Sequence, residues 1–191
     1  MQKVCILGVG RQGSAAAYDI LKYNKPQQLL LLDNNQDSLK RTMSKINKVK
    51  DNSTQIIAEV IDLNDSQKLS KLLTPFDIFL SAVPYQFNLQ LTKVALSSKT
   101  SMVDLGGHTK NVIKQLSYDE SSKNNNIAIV PDCGMGPGMN ISMALLGIEY
   151  LDQAKDVYIW DGGLPKNPVK PWNYSLFFNI KGLTNEYDGS E

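Results

Sequence analysis

Apolar residues along this chain come in short, nearly unbroken runs, separated by longer stretches in which they recur every three or four positions. The runs cover residues 4–8, 29–33, 56–61, 78–82, 102–105 and 127–130. Strands buried on both faces of a parallel sheet read this way, because neither face presents side chains to water. The stretches between them, 13–23, 36–48, 66–73, 89–96 and 111–123, predict crossover helices, and the polar run 121–126 reads as a surface turn. Six strands alternating with helices predict an α/β fold with a doubly wound parallel sheet over residues 1–130.

The rhythm changes after Pro131. A loop rich in Gly and Pro, Cys133-Gly134-Met135-Gly136-Pro137-Gly138, precedes a helical pattern over 139–151. Two further apolar runs follow at 157–160 and 175–180, separated by a loop carrying Pro165, Pro168 and Pro171, and 182–187 reads as one helical turn. Residues 131–191 are therefore expected to be the start of an α+β domain, with a boundary near Pro131. Two strands are too few to stand alone. Aromatic side chains at Tyr158, Trp160, Phe177 and Phe178 would then seek cover from a second copy of the chain or from a complementing carboxyl-terminal polypeptide.

Composition narrows the function. The formal net charge is +1, so no bulk field draws the chain to nucleic acid or to an anionic membrane. Lys45, Lys48 and Lys50 look like the wet face of a helix. Cys5 and Cys133 lie far apart and His108 is the single histidine, so neither a disulfide framework nor a zinc spacing can be built, and no metal is expected. Free thiols and the lack of any run long enough for a signal peptide or a membrane span lead to the expectation of a cytoplasmic protein.

Gly8-Val9-Gly10-Arg11-Gln12-Gly13 has the spacing G-x-G-x-x-G, which carries weight here because it follows a strand pattern and opens a helix. In a Rossmann domain the first glycine permits the tight turn, the second lets backbone approach a pyrophosphate, and the third packs helix on strand. The bare amides of the helix start then bind the anion, and Arg11 is out of place there unless something anionic docks. Asp33 follows Gly13 by about 20 residues, where a carboxylate accepts the ribose hydroxyls of NAD and would repel a 2′-phosphate. The nearest cations, Lys40 and Arg41, are too distant for a phosphate clamp, so NAD is the expected cofactor. Asp62-Leu63 reads either as an adenine-edge contact or, for Asp62, as a helix N-cap.

Ligands of open α/β sheets bind beyond the carboxyl ends of the strands. Those ends carry Ala82-Val83-Pro84-Tyr85, Asp104-Leu105-Gly106-Gly107-His108 and Pro131-Asp132-Cys133-Gly134. Ala82, Val83, Pro84, Gly106 and Gly107 leave room for the cofactor, while Asp104, His108, Tyr85 and Asp132 can handle protons. Each acid could equally be a turn or cap residue; their convergence on one edge favours catalysis, with Asp104 and His108 leading. Nothing near Cys133 in sequence would lower its pKa, so it reads as a packed loop residue.

The runs Asp104–His108, Pro131–Met139, Asp161-Gly162-Gly163-Leu164-Pro165 and Pro171-Trp172-Asn173-Tyr174 resemble the saccharopine dehydrogenase family, and within it most closely the lysine 6-dehydrogenase branch. That resemblance implies pyridine-nucleotide-linked oxidation of a carbon–nitrogen bond in lysine or a lysine-derived substrate, by hydride transfer and hydrolysis of the resulting iminium. It also implies a substrate and dimerisation domain after the sixth strand, in proteins roughly twice this length. The other readings are a truncated, non-catalytic NAD-binding or interaction protein and a saccharopine or carboxynorspermidine reductase.

Overall fold

The predicted runs become the strands of one six-stranded parallel sheet, ordered β3-β2-β1-β4-β5-β6, in a computed structural model that describes residues 2–49 and 53–176 together with Ile180, Leu183, Thr184 and Tyr187. In chain order they are β1 Lys3–Leu7, β2 Gln28–Asp33, β3 Gln55–Val60, β4 Ile78–Ser81, β5 Ser101–Asp104 and β6 Ile129–Val130. The sheet grows outward from β1 in both directions, which leaves a crevice at the carboxyl ends of β1 and β4 where the crossovers diverge.

Side chains alternate across the two faces. Val4, Ile6, Leu29 and Leu31 pack with Ala17, Leu39 and Ile46 on one face. Cys5, Leu7, Leu30 and Leu32 pack with Leu69, Leu73, Leu91 and Ala95 on the other. The helices that supply those partners are α1 Arg11–Asp19 and α2 Gln36–Ile46 on the first face, and α3 Ser66–Leu73 and α4 Asn88–Ser98 on the second. Local signals set their starts: Asn35 accepts from the amides of Asp37 and Ser38 to cap α2, and Asp65 accepts from Lys68 to cap α3. Both faces of β2 are sealed in this way, whereas β4 and β5 alternate buried with half-buried positions and so have one well-covered face.

Several boundaries differ from the sequence expectation. The first helix gives way to a π-helical turn, Ile20–Asn24, which ends at Lys25 in the left-handed region (φ 47) just before Pro26. The stretch 111–123 is not one helix but two, α5 Thr109–Leu116 and α6 Asp119–Asn124. At the break the Ser117 hydroxyl donates to the Lys114 carbonyl (2.7 Å), a local bond that competes with helix continuation. The surface turn expected from residue 121 begins only after Asn124, because Ser121–Asn124 belong to α6.

The largest departures come after Pro131. Helix α7, Met139–Ile148, forms as expected but ends earlier than residue 151, and none of its residues is buried. The expected strand at 157–160 is absent and its residues are exposed. A strand needs a neighbouring backbone to pair with, and none of the described residues pairs there. In the run 175–180, Ser175 and Leu176 are not in a strand and Ile180 is helical, while Phe177, Phe178 and Asn179 lie outside the described residues. Leu183, Thr184 and Tyr187 are helical; Gly182, Asn185 and Glu186 fall outside the description, as does Lys50 of the basic helix face.

Candidate nucleotide and substrate site

The glycine loop is built from β1, α1 and the start of β2's connection. Gly8 takes φ +82 and its amide donates to the Leu32 carbonyl (2.7 Å), so the loop leaves β1 tied to β2. A Cβ on Gly13 would overlap the Gly8 carbonyl oxygen, so only glycine lets α1 sit this close to the strand. Gly10 faces open space, and no side chain caps the amino end of α1. An uncapped helix start facing empty room is what an anionic group requires. Arg11 and Gln12 lie exposed at that same end.

A cleft of about 370 Å³ opens beside this loop. Its walls include Gly8, Gly10 and Asp33, then Asp62 and Leu63, with Ala82, Val83 and Pro84 opposite. Leu32, Asn34, Asn64 and Phe87 also line it, and sequence reasoning had not selected them. They follow from neighbours in the chain that were selected; only Phe87, in a short 3-10 turn Tyr85–Phe87, had no local signal.

Asp33 has a double task. Its Oδ2 accepts from the Val9 amide (2.8 Å) and its Oδ1 from the Asn35 amide (2.8 Å). The carboxylate thus pins the glycine loop to the end of β2, and a carboxylate's remaining lone pairs can still accept ribose hydroxyls. Nearby, Arg41 donates to the Ser38 hydroxyl (3.0 Å) and Lys40 lies 3.9 Å from Asp37. Asp62 is not a helix N-cap: its Oδ1 accepts from both the backbone and side-chain nitrogens of Asn64, and the cap of α3 is Asp65. The residues present fit a dinucleotide, with an open anion seat, an acceptor at the ribose position and apolar walls.

Farther along the strand ends, Tyr85 and His108 come together with ring centroids 5.2 Å apart and planes 14° from parallel. Gly107 (φ +110) lies beneath the tyrosine, where a Cβ would stand 3.4 Å from Tyr85 Cδ1. Asp132 takes φ +65 and its carboxylate presses against Gly106 (φ +73), where a Cβ would run into it and force the carboxylate aside. Asp104 has a different situation. It is 0% exposed, with Oδ1 accepting from the amides of Gly106 (2.8 Å) and Asp132 (3.1 Å) and Oδ2 from Gln115 Nε2 (2.7 Å). The base role read for Asp104 from its position does not suit a carboxylate enclosed between sheet and helix. Gln115, which sequence reasoning passed over as one polar residue in an amphipathic helix, is its partner.

The Cys133 thiol is pushed up from its usual value by partial burial, then by the neighbouring charges of Asp104 and Asp132. Its sulfur points to the carbonyls of Val130 and Pro131. That is the environment of a packed loop thiol rather than of a nucleophile.

A parallel sheet in the order 3-2-1-4-5-6 with a glycine loop and an acid at the end of β2 defines a Rossmann-type pyridine-nucleotide-binding protein. The profile described as saccharopine dehydrogenase NADP binding domain matches residues 4–130, and the chain belongs to that family. It is 25% identical over 129 residues to a saccharopine dehydrogenase [NADP(+), L-glutamate-forming] of Pyricularia oryzae, covering 64% of this chain and 28% of that one. It is 29% identical over 106 residues to the mitochondrial alpha-aminoadipic semialdehyde synthase of Bos taurus, covering 52% of this chain and 11% of the other. Among solved structures, the apo saccharopine dehydrogenase (L-Glu forming) of Saccharomyces cerevisiae aligns with a TM-score of 0.62 at 20% identity, over 78% of this chain and 31% of that one. The chain thus spans less than a third of the length of these relatives. By name these relatives are dehydrogenases and a semialdehyde synthase. Among the described residues no helix is long and apolar enough to cross a membrane.

Proposed function

We propose that this chain forms the nucleotide-binding part of an NAD-dependent oxidoreductase that acts on a carbon–nitrogen bond of lysine or a lysine-derived amine. The observation that carries the cofactor reading is Asp33: a carboxylate at the ribose position, with Lys40 and Arg41 turned to Asp37 and Ser38. A 2′-phosphate would meet the Asp33 carboxylate there, and no Lys or Arg is among the described residues that line the cleft. The fungal relative's name carries NADP(+), so the local chemistry at the end of β2 argues for a different preference within one family.

In this reading Gly8, Gly10, Arg11, Gln12 and Gly13 receive the pyrophosphate, Asp33 the adenosine ribose, and Asp62 and Leu63 the adenine edge. Ala82, Val83 and Pro84 continue the wall towards Gly106 and Gly107. The bound nicotinamide supplies hydride acceptance. The chain's own task is to take a proton from the substrate ammonium and hold the amine, for which Tyr85, His108 and Asp132 stand at the strand ends. Asp104 lies beneath them. The partner is a second copy or a complementing carboxyl-terminal polypeptide, because Tyr158, Trp160 and Trp172 stand exposed after the proposed boundary near Pro131. Two free thiols suit a cytoplasmic setting. A second reading is an enzyme acting on saccharopine itself, the substrate in the names of the fungal relatives.

Calorimetric titration with NADH and NADPH tests the cofactor assignment, with NADH expected to bind more tightly. Equal or tighter binding of NADPH overturns it. A screen for NADH formation with lysine, saccharopine and polyamines, on the chain with and without a carboxyl-terminal partner, tests the substrate class.

A further inference from the structure

The buried carboxylate of Asp104 is surrounded by neutral donors, from the Gly106 and Asp132 amides and from Gln115. Its own carbonyl accepts the Cys133 amide (2.8 Å). Enclosing a carboxylate is costly unless every donor is aimed at it, so such a group holds its surroundings in one arrangement. Here the surroundings are the loop after β5, the loop after β6 and helix α5. Gln115 is itself 2% exposed and donates also to the Thr92 hydroxyl on α4 (3.2 Å). Its Oε1 is buried and finds no partner among the described residues, so the amide is committed to its donor side.

Gln115 lies in the last turn of α5, and His108, with extended backbone (φ -169, ψ 109), is the residue from which the helix starts, so the two stand at opposite ends of one rigid element. His108 occupies the position just before the first turn of α5. Fixing Gln115 against Asp104 sets the rotation of α5 about its axis, and with it the direction in which the chain presents the imidazole. From the other side, Asp104 holds the Gly106 amide, so the glycine pair leading into His108 is anchored as well. The imidazole is thus delivered onto the Tyr85 ring from two fixed ends.

We infer that Asp104 and Gln115 form a positioning pair that sets His108 on Tyr85 and holds the Asp132 loop, rather than groups that meet the substrate. Its catalytic meaning rests on the proposed function above; the structural claim does not. His108 is the single histidine of the chain, so its imidazole C–H resonances identify themselves in an NMR spectrum. Stacking on Tyr85 displaces them by ring current, and Tyr85→Leu supplies the unstacked reference.

Two variants, Asp104→Asn and Gln115→Met, are expected to remove at least half of that displacement, while nucleotide binding persists. Gln115→Glu places a second carboxylate beside Asp104 and is expected to do the same. Adding Asp104→Asn to it restores a donor–acceptor pair of reversed polarity and should return the parent signal. Folded single variants with parental His108 resonance positions overturn the inference. Where the single variants lose cooperative unfolding, the double variant decides: a parental signal sustains the pair, and a displaced signal or failure to fold overturns it. None of these readings depends on turnover, so a failed amine screen would count against the proposed function alone.

Discussion

Residues 78–82 and 157–160 are both short apolar runs, yet the first became an interior strand and the second an exposed irregular segment. Phe79 is 0% exposed and Trp160 is 90% exposed. The difference lies outside the runs. β4 is flanked by β1 and β5, which satisfy its backbone groups on both sides, and α4 roofs the face that carries Phe79. No described residue offers the later run an edge or a roof. The same contrast separates α4, which buries Leu91, Val94 and Ala95, from α7, an apolar helix that buries none of its residues. Apolar sequence is a capacity for burial, and tertiary partners decide whether it is used.

The largest effect expected is at the buried end of that comparison. Phe79→Ala should cost ~3–5 kcal/mol of unfolding free energy by denaturant titration, the usual range for emptying an aromatic site in a closed core. A loss under about 1 kcal/mol would mean that the sheet interior is looser than its burial implies. Next in size is Asp33→Ala, expected to weaken nucleotide binding by ~1.5–3 kcal/mol, the worth of a hydrogen bond to a charged group. Because Asp33 also holds the Val9 amide, both NADH and NADPH should lose affinity, NADH more. A gain for NADPH with no loss for NADH would detach Asp33 from the loop geometry.

Trp160→Ala should change the unfolding free energy of the chain by no more than about 0.5 kcal/mol, as for a surface site. In light scattering, however, it should lower the dimer fraction if the exposed segment is the contact between copies. A clean monomer before substitution, or an unaltered dimer after it, removes that segment from the interface.

The smallest effect is on pH dependence. Burial pushes the Cys5 thiol well above its ordinary value of 9.0, and Cys133 is raised too. A raised folded-state value means the unfolded chain gives up these protons first, so stability is full below 9.0 and declines as pH rises beyond it. Denaturation midpoints measured from neutral to alkaline pH should fall above that point, and Cys5→Val should flatten the fall. A midpoint that holds steady would show that neither thiol stays protonated in the folded state.

The sequence alone was enough for the sheet, because near-continuous apolar runs and amphipathic intervals are local patterns with one efficient packing. It was also enough for the glycine loop, where Gly8 and Gly13 meet backbone so closely that no other residue fits. It placed Tyr85, His108 and Asp132 on one sheet edge, since strand ends follow from strand order. What it could not supply was the environment of each side chain. Asp104 looks in sequence like any acid at a strand end, and only the packing of Gln115 seven residues beyond His108 shows it enclosed. Asp33 reads as a ribose acceptor, and only the approach of Val9 across 24 residues shows it also fastening the loop. The fate of 157–160 was beyond sequence for the same reason. Propensity and periodicity are properties of neighbours along the chain, whereas burial, pairing and hydrogen-bond satisfaction belong to neighbours in space.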